Sequence, residues 1–73
     1  MVSEIGLRAA EELRRNAYAA DVTITYELEC LGTDRFNLYQ WDHGKATPGG
    51  KILAKMLKMG YDINYILLGE RVC

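Results

Sequence analysis

Four glycines, at positions 32, 44, 60 and 69, each close a stretch whose apolar residues recur at helical spacing, and this punctuation restricts the fold more than anything else in the chain. Glycine enters the left-handed conformation at a helix C-terminus without the steric cost a Cβ carries. Short helices separated by tight turns follow. Ahead of the first of these glycines, Ile5, Ala9, Leu13 and Ala17 recur every fourth residue and mark one stripe of an amphipathic helix over residues 3–19. Ser3 stands where its hydroxyl can accept from the first free backbone N–H groups. Glu4 with Arg8, and Glu11 with Arg15, stand in the favoured acid-first i, i+4 order on the outer face.

Residues 21–25 mix β-branched side chains with N-cap types, so a strand is locally conceivable, but the Tyr26-Glu27-Leu28-Glu29-Cys30-Leu31 run suits a helix better. A second helix is therefore expected near 23–31, ended by Gly32. Thr33 or Asp34 caps a third over about 34–42, with Leu38 and Trp41 at i, i+3 facing inward. In Thr47-Pro48, threonine can cap and proline can take the first position of a fourth helix that runs to Met59. Ile52, Leu53, Met56 and Leu57 supply its apolar face, and Lys51, Lys55 and Lys58 line another. A lysine stripe is the solvated face any such helix needs, so only Lys51 is retained as a candidate contact. Asp62 caps a fifth short helix over 63–68, with Ile63, Ile66 and Leu67 on one side. The expectation is an all-α, five-helix single domain over 1–73, with no internal repeat.

At 73 residues the chain has material for one core. No apolar run approaches the roughly 18 residues of a membrane span, and the N-terminus lacks a secretory layout, so a cytoplasmic protein is expected. Cys30 and Cys73 fit no metal spacing and are too few for a disulfide scaffold; Cys30 reads as a small apolar residue. No Ser/His/Asp, Cys/His, paired-acid or phosphate-loop pattern supports an enzyme, and the one histidine, His43, has no Cys or second His nearby to share a metal. No cofactor, metal or small-molecule ligand is expected, and the length leaves no room for a ligand-sensing domain. The net charge of −1 lacks the basic footprint of a nucleic-acid binder. Its distribution is uneven, however. Residues 1–42 carry four arginines against eight carboxylates, a balance of −4, whereas 43–61 carry Lys45, Lys51, Lys55 and Lys58 and no acid, a balance of +4.

Two short helices joined across Gly32, over about 23–43, have helix-turn-helix spacing, which many all-α domains share. A more specific signal is the string L-G-T-D-R-F-N-L-Y-Q-W-D-H-G-K-A-T-P-G at 31–49. It resembles the Xre, or phage-repressor-like (lambda-repressor-like), helix-turn-helix family, which has Leu-Gly at the end of helix two, an aliphatic residue and a Trp in helix three, an acid after the Trp, then Gly and a Pro before helix four. The string G-Y-D-I-N-Y-I-L-L-G-E-R at 60–71 resembles the closing segment of phage-related members. Together the two strings cover about half the chain. Two positions depart from the family pattern. Ile24 stands in place of a Gln that usually touches phosphate, and Leu28 in place of a small Ala packed on helix three, which calls for different packing or a shifted register there.

The resemblance implies a compact lambda-repressor-like domain acting as a sequence-specific, double-stranded-DNA-binding transcriptional regulator, prophage-related or bacterial, that reads the major groove with helix three. Leu31, Gly32, Leu38 and Trp41 would form the structural core of the motif. Arg35, Phe36, Asn37 and Gln40 would contact bases, and Tyr39, His43, Lys45 and Lys51 would contact phosphates. The chemistry fits in part: Arg can donate twice to guanine, Gln can pair bidentately with adenine, and Phe can touch a thymine methyl. Partial core packing is the alternative for Phe36. Asp34 has an alternative use as an N-cap, Asp42 can pair with Lys45 or an arginine, and Gly49-Gly50 leave the start of helix four open to a phosphate. Family members often bind inverted-repeat operators as homodimers. The apolar tail, 65–72, either supplies a self-complementary patch or closes the core, and the sequence leaves both open. The rival from another class is a protein-interaction module, such as a phage modulator that keeps the fold without binding DNA; the acidic first half favours it.

Overall fold

In the computed structural model, which describes residues 2–71, Ser3 is extended and its Oγ accepts from the Gly6 N–H at 3.1 Å, starting α1 (Glu4–Ala20). Val72 and Cys73 lie outside the described residues, and with them the end of the apolar tail. Helix α1 ends at Asp21, a non-glycine residue at φ 57°, whose αL turn lets the Val22 N–H donate to the Ala17 carbonyl at 3.0 Å. Then follow α2 (Ile24–Leu31), α3 (Arg35–Asp42), α4 (Gly50–Lys58) and α5 (Ile63–Leu68), with no strand among the described residues. No helix there is long and apolar enough to cross a membrane.

The caps follow side-chain chemistry. Thr23, Asp34 and Asp62 each accept from the backbone N–H three residues on, at 3.0 Å, and so start α2, α3 and α5. Gly32 sits at φ +75° and closes α2, with the Thr33 N–H donating to the Leu28 carbonyl at 3.0 Å. Helix α4 begins later than Thr47-Pro48 suggests. Its first residue is Gly50 and its cap is Gly49, which has no side chain to offer. Thr47 is drawn away by a tertiary contact, its Oγ1 2.6 Å from the Ser3 Oγ, and Pro48 is buried in the connection.

Helix α1 is the central element and packs against α2, α3 and α5, while α4 packs on α2 and α5. Small side chains at Ala9 and Ala10 let the neighbours approach it. Around them close Leu13, Leu28, Leu31, Leu38, Trp41, Met56, Tyr61 and Ile66. Leu28, 2% exposed, is accommodated in this core. Gly6 marks the closest approach, because a Cβ there would lie 2.2 Å from the Ala46 carbonyl oxygen. The Ser3 N–H also donates to the Gly44 carbonyl at 2.7 Å. The α3–α4 connection is thereby stapled to the start of α1.

Four expected placements are corrected. Leu57 is 63% exposed and Leu67 42% exposed, since α4 and α5 bury only Met56 and Ile66 fully and no other helix covers the adjoining positions. Cys30 is exposed; the buried places on α2 go to Glu27, Leu28 and Leu31. Glu27, 4% exposed, tolerates burial because the Tyr61 hydroxyl, from a residue 3% exposed, donates to its Oε2 at 2.5 Å. Arg15 pairs with Glu12 at 3.6 Å and not with Glu11, which accepts from the Tyr65 hydroxyl and faces Arg71. Glu12, the other buried carboxylate, accepts from Arg71 at 3.1 and 3.2 Å. These bonds hold Arg71 against α1.

Candidate nucleic-acid interface

Helix α3 is held by one side and displays the other. Leu38 and Trp41 are buried, and Asp42, next to Trp41, accepts from both Arg14 guanidinium nitrogens at 2.5 and 2.6 Å, tying α3 to α1. This bidentate bond holds the Asp42 carboxyl below the usual carboxylate range and raises Arg14 further. The partner foreseen for Asp42 is thus an arginine and not Lys45. Leu31 is fully buried beneath the turn. Gly32 is exposed, so its contribution is backbone conformation; a Cβ there would also meet the Lys55 Nζ at 2.9 Å.

Opposite the anchors, Phe36, Gln40 and His43 follow at i, i+4 and i+7 and line one outward stripe. Phe36 is 67% exposed, which removes core packing as its role. Gln40 is half-buried and His43 exposed. Arg35 and Asn37 lie at the start of the helix, and each is oriented by a hydroxyl: Thr25, which the residue pattern did not single out, and Thr33, which yields the cap to Asp34 and serves here instead. The Arg35 Nη2 donates to the Thr25 Oγ1 on α2 at 2.8 Å, and the Asn37 Nδ2 to the Thr33 Oγ1 at 2.8 Å. Arg35 therefore stands on the α2 side of the surface, prepositioned by one bond, with its remaining N–H groups available.

At the other end of α3 the structure brings together three of the four residues expected to touch phosphate. Tyr39 and His43 stack with centroids 4.0 Å apart and planes at 28°, and the Lys45 Nζ lies 5.5 Å from the Tyr39 ring centroid. Lys51 stands apart on the first turn of α4, with no hydrogen bond or ion pair to the others among the described residues. That helix start is bare. Gly49 offers no cap bond, and a Cβ on Gly49 or Gly50 would meet nothing within 4 Å. Its first N–H groups receive no side-chain cap from Gly49, and no Cβ crowds the approach to them.

Charge pairing sharpens the asymmetry seen in the sequence. Arg8, Arg14, Arg15 and Arg71 each lie within 4.0 Å of a carboxylate, whereas Arg35 and all four lysines form no ion pair among the described residues. Arg8 has a second task, its Nε donating to the Ile66 carbonyl at 3.0 Å at the end of α5. The uncompensated positive charge thus runs from α3 to α4, and the acids of the first half are partly consumed by α1 and the tail. No group of three or more His, Cys, Asp or Glu is placed to hold a metal ion among the described residues. No family model, curated protein or solved structure matches the chain.

Proposed function

We propose that the protein is a double-stranded-DNA-binding transcriptional regulator of the Xre, lambda-repressor-like kind, with α2 and α3 as its helix-turn-helix and α3 as the helix that enters the major groove. One observation carries the reading: α3 displays Phe36, Gln40 and His43 outward from a side fixed by Leu38, Trp41 and the Arg14–Asp42 bond, flanked by the cations that have no carboxylate partner among the described residues. A helix of this diameter fits the major groove, where Gln40 can pair with adenine, Arg35 with guanine and Phe36 with a thymine methyl, with Asn37 beside them. Tyr39, His43, Lys45 and Lys51 supply phosphate contacts, and the bare start of α4 supplies backbone donors. The role needs no catalytic step. Leu67 and Leu68, exposed at the end of α5, offer a patch through which two copies would span half-sites one helical turn, roughly 34 Å, apart.

The test is a pair of contrasts on a site selected from a random DNA pool. Arg35→Ala and Gln40→Ala each weaken binding by about 1–3 kcal/mol and relax base preference at one position, whereas Lys45→Ala weakens all sequences alike. Uniform loss from Arg35→Ala and Gln40→Ala removes the base-reading role. A protein-interaction role has one observation in its favour: Tyr18 and Tyr26 are exposed beside the acids Asp21 and Glu29. It predicts that DNA is not bound at all.

A further inference from the structure

The hydrogen bond that orients His43 also decides what its free edge can do. The Nδ1 lies 2.9 Å from the Tyr39 carbonyl oxygen, which also receives the His43 backbone N–H at 3.1 Å. A carbonyl oxygen only accepts, so Nδ1 carries the hydrogen and Nε2 of the neutral ring is left with a lone pair. Stacking on Tyr39 fixes the plane of the imidazole, and the exposed side chain leaves Nε2 as its unengaged edge. Phosphodiester oxygens are acceptors. A neutral Nε2 therefore opposes one, while the protonated ring presents a charge-assisted donor in the same place.

We propose that His43 is a proton-gated phosphodiester contact, so that the protein binds DNA more tightly as pH falls; this rests on the DNA-binding reading above. The surrounding charges leave the position open to an external anion. Asp42, the preceding residue, is occupied by Arg14 of α1. Lys45 lies over the Tyr39 ring and adds positive charge, Tyr39 contributes a phenol, and among the described residues the N-terminal segment meets this connection through the uncharged side chains of Val2 and Ser3. The chain holds one histidine, and histidine is the side chain that ordinarily changes charge between about pH 5 and 8. The terminal amine also titrates in that window, so the contribution of the ring is read as the difference between the wild type and His43→Gln.

The experiment is fluorescence anisotropy with a labelled random-sequence duplex at low salt, from about pH 8 down to about pH 5.5, for the wild type and His43→Gln. The wild type is expected to tighten roughly tenfold or more, and His43→Gln to remain near the wild type's alkaline affinity throughout. By linkage, the imidazole NMR signals of the wild type must titrate at higher pH with duplex bound than without it, a readout that needs no variant to fold. Equal wild-type affinity at both ends of the range, an unchanged slope in His43→Gln, or an imidazole titration indifferent to DNA each overturns the proton gate while leaving DNA binding in place. Absence of binding at every pH overturns the DNA reading and the gate with it.

Discussion

Replacing Tyr61 by phenylalanine removes one oxygen and leaves a buried carboxylate alone. The Tyr61 hydroxyl makes the one side-chain hydrogen bond that Glu27 receives among the described residues. Both residues are almost wholly shielded from water, so no solvent can stand in for the lost donor. Losing the partner of a buried charged acceptor costs about 2–4 kcal/mol. In a domain of this size that lowers the melting temperature by roughly 10–25 °C. Urea unfolding followed by fluorescence of the single, buried Trp41 reads the change directly. Adding Glu27→Met removes the stranded charge along with the hydroxyl, and the double variant should recover most of the loss. The pair also sets an alkaline limit. Burial first, and then the bond to Glu27, push the Tyr61 phenol well above its ordinary value. Below about pH 10 the phenol is protonated in folded and unfolded chains alike and its contribution is whole. Above that, the unfolded chain releases its proton first, so stability falls with rising pH by up to about 1.4 kcal/mol per unit, a component missing from Tyr61→Phe. A Tyr61→Phe loss within about 0.5 kcal/mol, or a double variant losing the full sum, would refute the reasoning.

Two further perturbations probe how α3 and the connection after it are held. Gly6→Ala puts a methyl against the Ala46 carbonyl and should cost about 2–3 kcal/mol, whereas Gly49→Ala, whose Cβ meets nothing, should cost a few tenths; equal melting temperatures would contradict the close approach. The Arg14–Asp42 bond, half-exposed and screened, contributes about 1 kcal/mol. Because the Asp42 carboxyl is lowered in the folded chain, that contribution is whole above the ordinary carboxylate value near pH 4 and is lost as pH falls through the folded one. Asp42→Asn should therefore be less stable than the wild type near neutrality and equal to it in strong acid, by urea titration at each pH. A gap that persists in acid would assign the effect to something else.

What the sequence made legible is what depends on near neighbours. Ser3, Asp34 and Asp62 cap helices, Gly32 and Gly69 end them, and Leu38 and Trp41 point inward, because each depends on residues within one or two turns. The misplacements turn on tertiary packing: Leu57, Leu67 and Cys30 lie where no other element covers them, and the rest involve distant partners. Thr47 looks like a cap until Ser3, far back in the chain, takes its hydroxyl, and the burial of Glu27 depends on Tyr61, 34 residues on. The pairing of Arg15 with Glu12 likewise follows from α5, which draws Glu11 toward Tyr65 and Arg71. Within the candidate site, the outward α3 stripe follows from helical spacing. The hydroxyls of Thr25 and Thr33 that orient Arg35 and Asn37 do not, since one lies on another helix and both resemble ordinary helix-start residues.

The central claim is that the face built by α3 and the start of α4 binds duplex DNA through phosphates, and the salt dependence of affinity tests it most directly. With Z phosphates contacted, the logarithm of the association constant for random-sequence duplex falls against the logarithm of salt concentration with a slope near −0.9Z, and Z of roughly 3–6 is expected here. Lys45→Ala should make that slope shallower by about one contact. A wild-type slope in this range supports the account, and no measurable binding even at low salt would contradict it.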